Sequence, residues 1–173
     1  MVVLIIYRIA QAAGLNGQIM VTAAAGLFIL PFFLFSATAG QIADKFEKSR
    51  LVRWTKMAEV AIMILAAAGF WLGDVYFLTV VLFLMGTQST FFGPLKYAIL
   101  PDHLDEDELI GGNALIEAGT FLAILAGTIA GGLLILQDRG TAIVSAAVIV
   151  VAVLGWAASL FIPTTPAPSP GLA

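Results

Sequence analysis

The sequence predicts an all-α membrane protein, and two observations carry that prediction. Hydrophobic residues make up 61% of the 173 residues, charged residues make up 11%, and the mean hydropathy is +1.03. Apolar runs of about 20 residues, long enough to cross a hydrocarbon core of roughly 30 Å as helices, alternate with short polar segments. Water-soluble domains have a lower apolar fraction, so a soluble fold is excluded.

Five apolar runs have the full spanning length, and short turns such as Gly73-Asp74 between them favour antiparallel helical neighbours. The opening run, about 12 residues long, reaches only about 18 Å as a helix, so it is predicted to be a truncated first helix. A signal peptide is the alternative, which Arg8 within the run disfavours. The predicted membrane domain, 1–162, has spans at 1–13 (partial), 19–39, 51–72, 75–100, 109–136 and 141–162.

The segment 163–173 is rich in proline, which lacks the amide donor of a helix, and it is predicted to be a linker or tail. Cysteine is absent, which excludes disulfides, thiolate catalysis and thiolate metal sites. The net charge is −3, so the chain offers no basic surface for nucleic acid.

Basic residues are concentrated between the first two full-length runs. This basic loop holds five of the eight Lys and Arg residues: Lys45, Lys48, Arg50, Arg53 and Lys56. Basic residues near the ends of spans remain on the cytoplasmic side of a membrane. The basic loop, the acidic loop at 102–108 and the Pro-rich tail are therefore all expected to face the cytoplasm.

The segment 40–50 resembles the loop signature of the major facilitator superfamily: a glycine, an aspartate four residues later, and then basic residues. The resemblance makes Gly40, Asp44, Lys45 and Arg50 candidate residues of a conformational loop. Gly40 would permit close helix approach, while Asp44 would pair with Arg50 or cap a helix N-terminus. The alternative is a solvated charged loop that only obeys the orientation rule.

A more specific resemblance lies in FFGPLKYAILP at 91–101 and LIGGNALIEA at 109–118. These segments resemble the bacterial lysophospholipid transporter branch of that superfamily, which includes transporter domains fused to 2-acylglycerophosphoethanolamine acyltransferase and an acyl-carrier-protein synthetase. The resemblance covers essentially the whole chain, but only the first six of the family's twelve helices. The family's polar first-helix motif and its second half are missing.

The resemblance implies the N-terminal six-helix bundle of a secondary transporter, built from two three-helix repeats, in the bacterial inner membrane. It implies translocation of lysophospholipid, chiefly lysophosphatidylethanolamine, for re-acylation. The implied partners are the missing C-terminal six-helix half, membrane lipids and a fused or associated acyltransferase. Three alternatives stay open: a general solute or drug transporter, a membrane anchor for a fused acyltransferase, and a non-functional fragment.

Ionisable residues inside membrane spans are costly and usually have a partner or a function. The ammonium of Lys96 is predicted to bind a lipid phosphate, with snorkelling to the interface as the alternative. Asn113 and Glu117 share one helix face and would pair with Lys96, carry a proton or form a structural interhelical bond. Arg8 is predicted to snorkel. The candidate substrate-binding residues are Lys96, Tyr97, Asn113 and Glu117.

Small and aromatic residues in the spans give two further expectations. Gly127 and Gly131 have the small-xxx-small spacing of a close helix contact, and the same smooth face would permit sliding during alternating access. Phe91, Phe92 and Tyr97 are predicted mainly to pack, with an acyl-chain slot as the alternative.

The acidic loop holds the one histidine, His103, without a matched set of metal ligands or acid-base partners. Asp105 and Glu108 fit a capping box at a helix start. The sequence has no nucleophile elbow, phosphate-binding glycine loop or zinc pattern. The chain is therefore predicted not to be an enzyme, and to need neither a metal nor a cofactor.

Overall fold

Five long helices make up the part of the chain that the structure describes. The computed structural model describes residues 11, 14 and 16–164. The predicted first segment, with Arg8, lies outside the described residues except for Gln11, and so does the Pro-rich tail from residue 165 onward. The helices are α1 (Gly17–Lys45), α2 (Lys48–Leu72), α3 (Val75–Ala98), α4 (Leu109–Leu134) and α5 (Gly140–Ser159), with a 3-10 turn at Leu100–Asp102.

All five helices are long and apolar enough to cross a membrane. Their bounds differ from the predicted spans most clearly in α1, which continues past residue 39 to Lys45. Lysine is a good helix former, and its positive charge is favourable at the C-terminal end of a helix. The apolar run therefore marks the membrane-crossing part of α1, while the helix itself extends into the polar region.

Side-chain oxygens cap three of the helix starts, which is why these helices begin where they do. Asn16 accepts hydrogen bonds from two backbone amides at the start of α1, Glu47 does so for α2, and Asp74 does so for α3. At the other end of α2, Gly73 has a φ of 65°, the left-handed conformation that ends many helices.

The helices do not pair in simple chain order. Helix α1 packs on α3, and α2 packs on both α3 and α5. The core between them includes Leu78, Val81 and Val144, all at most 1% exposed. Helix α4 lies at the edge of this arrangement: Gly131 is the single buried residue of α4, all of whose residues the structure describes.

Helices α1 and α3 approach each other closely at Gly86. A Cβ atom added there would lie 2.3 Å from the carbonyl oxygen of Phe28, so only glycine allows the two backbones to meet. Gly40, which the sequence suggested for close contact, would place a Cβ with nothing within 4 Å. The close contact of α1 with another helix therefore lies near its middle, at Phe28, whereas the sequence suggested its polar end, at Gly40.

The outer surface of the bundle is strongly apolar. Large hydrophobic side chains such as Phe33, Ile110 and Phe161 are more than 80% exposed. Soluble proteins rarely present apolar patches of this extent to water, whereas hydrocarbon is a suitable environment for them. The exposed apolar surface and the composition therefore both indicate that the bundle lies in a bilayer.

Candidate functional site

The first polar cluster joins the end of α3 to α4. The ammonium of Lys96 donates to the hydroxyl of Thr120 at 3.2 Å and lies 4.8 Å from the centroid of the Tyr97 ring. The Tyr97 hydroxyl donates to the carboxylate of Glu117. We call Lys96, Tyr97, Glu117 and Thr120 the Lys96 cluster.

The Lys96 cluster sits at the end of the bundle that holds the basic loop. Lys96 is in the last turn of α3, where a cation is favoured by the helix dipole, and Pro94 precedes it in the same helix. Glu117 and Thr120 lie in the first half of α4, which runs away from that end. Three of the four predicted substrate-binding residues are thus brought together.

The charges in the Lys96 cluster are not neutralised by direct contact. Within residues 16–164, Lys96 and Glu117 form no ion pair; Tyr97 and Thr120 occupy the positions beside them. An ammonium has three donors, so Lys96 keeps donors for a further acceptor such as a phosphate oxygen.

Asn113 is separate from this cluster. Its side-chain amide donates to the carbonyl oxygen of Leu109 at 2.9 Å, one turn earlier in α4. Such a bond back to the preceding turn is a common choice for a short polar side chain on an exposed helix. The structure therefore places Asn113 on the Glu117 side of α4 without linking it to Lys96.

A second polar cluster lies deeper in the helices and was not predicted. The ammonium of Lys56 is 2.8 Å from the carboxylate of Glu59, which also accepts from the side-chain amide of Gln88 at 3.0 Å. The same ammonium lies 4.3 Å from the centroid of the Phe92 ring. We call Lys56, Glu59 and Gln88 the Glu59 cluster; it ties the middle of α2 to the middle of α3.

One cavity lies beside the Glu59 cluster, and a second cavity adjoins the first. The first, of about 350 Å³, is lined by α2, α3, α4 and α5, is partly open, and includes Glu59 and Gln88 in its lining. The second, of about 460 Å³, is lined by α1, α2, α3 and α5 and is also partly open. Met63, Met85 and Val148 line both cavities and form the wall between them.

The basic loop is organised around Glu47 rather than Asp44. Glu47 caps α2 and its carboxylate lies 3.5 Å from the guanidinium of Arg50, while Asp44 is exposed near the end of α1. The Asp44–Arg50 pair suggested from the sequence is thus replaced by a pair within one turn. A cap must stand directly before the helix start, which places Glu47 and not Asp44 in that position.

Two other basic residues tie the loop to distant parts of the chain. The ammonium of Lys48, only 8% exposed, lies 2.9 Å from both carboxylate oxygens of Asp102 after α3. Arg53 donates to the carbonyl oxygens of Ser159 and Ile162 at 3.4 and 2.9 Å. The two Arg53 contacts add hydrogen bonds to carbonyl groups at the C-terminal end of α5, where regular helical hydrogen bonding stops.

Comparison with known proteins identifies the family. A major facilitator family model described as a transmembrane secretion effector matches residues 9–164. The chain belongs to the major facilitator superfamily. It is therefore a multi-pass membrane protein, as its five long apolar helices require.

Within that superfamily the chain is similar to proteins named lysophospholipid transporter LplT. The matches from Salmonella newport (strain SL254), Salmonella heidelberg (strain SL476) and Salmonella typhi are each 36% identical over 145 residues, 84% of this chain. The predicted resemblance to the lysophospholipid transporter branch is confirmed. The matched region is 34% of each relative, so the chain spans about a third of their length. No solved structure matches the chain.

The glycines of α4 in this major facilitator chain differ in their surroundings. Gly131 is buried, as expected for a packing glycine. Gly127, in contrast, lines the first cavity, and an added Cβ would meet nothing within 4 Å. Of the two predicted packing glycines, one is therefore buried, whereas a cavity occupies the space beside the other.

The aromatic residues and the acidic loop have structural partners. Phe91 stacks on Phe35 of α1, with ring centroids 6.4 Å apart. The carboxylate of Glu108 accepts from the Asp105 amide at 3.2 Å, but α4 begins only at Leu109 and has no side-chain cap, so the capping box predicted at its start is not formed. The Nδ1 atom of His103 lies 3.1 Å from the carbonyl oxygen of Ile99, so the backbone satisfies it.

Proposed function

We propose that this chain is the N-terminal six-helix half of a transporter that moves lysophospholipid, chiefly lysophosphatidylethanolamine, across the bacterial inner membrane. The similarity to proteins named lysophospholipid transporter LplT supports the substrate class. In this proposal the bundle consists of two three-helix repeats, faces a second six-helix half, and delivers substrate to a fused or associated acyltransferase on the cytoplasmic side.

The observation that carries the proposal at the level of the site is the Lys96 cluster. A phosphoethanolamine headgroup has an anionic phosphate and a cationic amine. The Lys96 ammonium keeps free donors for the phosphate, and the Glu117 carboxylate, held by Tyr97, has the charge that an amine requires. A site with both charges and no direct pair between them suits a zwitterionic headgroup.

The test is uptake of lysophosphatidylethanolamine by the protein expressed from its complete gene. We expect Lys96→Ala to reduce uptake by about tenfold or more, the size of effect expected when one charge-assisted bond to a phosphate is removed. Arg139→Ala is the control, because Arg139 is an exposed basic residue at the opposite end of the bundle and has no place in the cluster or in the conformational loop. Unchanged uptake by Lys96→Ala at normal membrane abundance would remove Lys96 from the headgroup site.

A further inference from the structure

The two adjoining cavities, the first of which is lined in part by Glu59 and Gln88, have the shape and polarity of a site for a single-chain amphiphile. We propose that they bind the hydrocarbon chain of such a molecule inside this half of the transporter, with Glu59 and Gln88 at the polar end. The identity of the amphiphile as a lysophospholipid rests on the proposed function; the site itself rests on the geometry below.

The polar residues of the first cavity lie toward one end. Along α2, Glu59 precedes Met63, and along α3, Met85 precedes Gln88. Because α2 and α3 run in opposite directions, Glu59 and Gln88 both face the end nearer the basic loop. Beyond them the lining is almost entirely apolar. This division, polar at one end and apolar along the rest, is the division found in an amphiphile.

The polar end is also satisfied before any ligand binds. The Glu59 carboxylate accepts from Lys56 and Gln88, so no unpaired charge faces the apolar space. The apolar walls offer a water molecule few of the hydrogen-bond partners that it needs, and cavities of that kind accept apolar ligands. Methylene groups are therefore better occupants than water, a sugar or an ion.

The second cavity extends the space away from the basic loop. It continues along α2 from Met63 to Phe70, so the distance from Glu59 to Phe70 is about 16 Å at the helical rise. Two of the three residues in the shared wall are methionines, Met63 and Met85, whose unbranched side chains adapt to their surroundings. Rotation of these side chains would join the cavities into one elongated space, which fits an extended chain.

Helix α4 covers the first cavity with small residues. It contributes Gly127 and Ala130 to the lining, and most of its surface faces outward. Among the five described helices α4 has the fewest buried residues, so of these it is the element that can move aside at the lowest cost. A hydrocarbon chain would therefore reach the cavity from the lipid through the seam beside α4.

The direct test is photolabelling of the protein expressed from its complete gene and reconstituted in vesicles. The probe is a long-chain lysophosphatidylethanolamine with a diazirine near the methyl end of its chain. We expect the label on peptides that line the two cavities, at Met63, Phe70 or Val148. Label confined to outward-facing residues such as Phe33, in protein that transports the probe, would overturn the inference.

A filling substitution provides a second test. Ala147 lines the first cavity, whereas its neighbour Ala146 is exposed and is not part of the lining. We expect Ala147→Leu to lower cavity labelling and uptake of the long-chain probe by about tenfold, while uptake of a short-chain analogue changes little. Ala146→Leu, which adds the same volume outside the cavity, should leave both unchanged. Equal effects of the two variants, or equal loss for both chain lengths, would contradict the inference.

The outcomes separate this site from the proposed function. Cavity labelling in a protein that does not transport lysophospholipid would contradict the proposed function and support the site. Transport of lysophospholipid with label only outside the cavities would support the proposed function and contradict the site. If Ala147→Leu fails to fold, labelling of the unsubstituted protein decides the question alone.

Discussion

At the scale of single residues, the ionisable side chains inside the helices are arranged in matched sets. Glu59 is bound by both Lys56 and Gln88, and Lys96 and Glu117 each have a hydroxyl partner. A buried charge that loses its partner destabilises a protein more than the pair itself stabilises it. Single and paired substitutions should therefore give different results.

Glu59→Gln should destabilise the protein by about 1–3 kcal/mol, because it leaves the largely buried Lys56 ammonium without a counter-ion. The double variant Lys56→Met/Glu59→Gln should recover part of this loss. Thermal unfolding of purified protein in detergent measures both. Glu106→Gln, in the exposed acidic loop, is the control and should have little effect. If the double variant is no more stable than Glu59→Gln alone, the unpaired Lys56 charge does not explain the loss of stability.

The sequence revealed part of this residue chemistry. Lys96, Tyr97 and Glu117 stood out as polar residues in apolar runs, and they do meet; Asn113, in the same predicted group, bonds to its own helix. Glu59 and Gln88 were missed because they lie in different apolar runs and outside the segments that carry the family resemblance. The three-residue spacing of Lys56 and Glu59 could have indicated an ion pair on one helix. Gln88 lies on another helix, and spacing along a chain does not show which residues of two helices lie close together.

At the scale of helices, glycine patterns indicated close packing without identifying the partner. The tight contact is at Gly86, against the backbone of α1, whereas Gly40 and Gly127 have open space beside them. Helix lengths were easier to predict, because the apolar runs already have the length of a bilayer. The pairing of α1 with α3 and of α2 with α5 depends on the fit of side chains, which no single run contains.

Gly86→Ala should destabilise the bundle by about 1–3 kcal/mol, because the new methyl group would collide with the Phe28 carbonyl and force α1 away from α3. Gly93→Ala is the matched control in the same helix, where an added Cβ meets nothing within 4 Å. Thermal unfolding of both variants in detergent tests the difference. If the two substitutions had the same effect, helix propensity rather than close contact would explain it.

Arg53→Met should loosen the end of α5, since it removes the donors to the Ser159 and Ile162 carbonyl oxygens. Hydrogen exchange followed by mass spectrometry should show faster exchange in the peptide covering 157–162. Arg50→Met is the control, because the Arg50 side chain is 76% exposed and pairs with the nearby Glu47. Unchanged exchange in Arg53→Met would mean that α5 ends stably without this arginine.

At the scale of the whole molecule, one end of the bundle carries nearly all of the charge. The basic loop, the Lys48–Asp102 pair and the acidic loop lie there, while the opposite end has the short turns at Asp74 and around Asp138. Orientation in the membrane follows from this asymmetry through the preference of Lys and Arg for the cytoplasmic side.

Single introduced cysteines test that orientation. The 173 residues contain no cysteine, so no native thiol in them would react with the reagent. We expect an impermeant maleimide to label Asp138→Cys in intact cells and Glu106→Cys only after the membrane is permeabilised. Both positions are exposed, so accessibility to reagent is matched. Any cysteines elsewhere in the protein are replaced first. Labelling of Glu106→Cys from outside intact cells would reverse the proposed topology.

The pairing of α2 with α5 also bears on how the ribosome delivers this chain to the membrane. The face of α2 that receives α5, including the Lys56 side chain next to Gly155, stays uncovered until α5 has been synthesised. A nascent chain stalled after α4 would thus display a lysine–glutamate pair to lipid or to the insertion machinery. Membrane proteases and chaperones would have that interval in which to distinguish a chain that lacks α5 from one in which α5 has packed on α2.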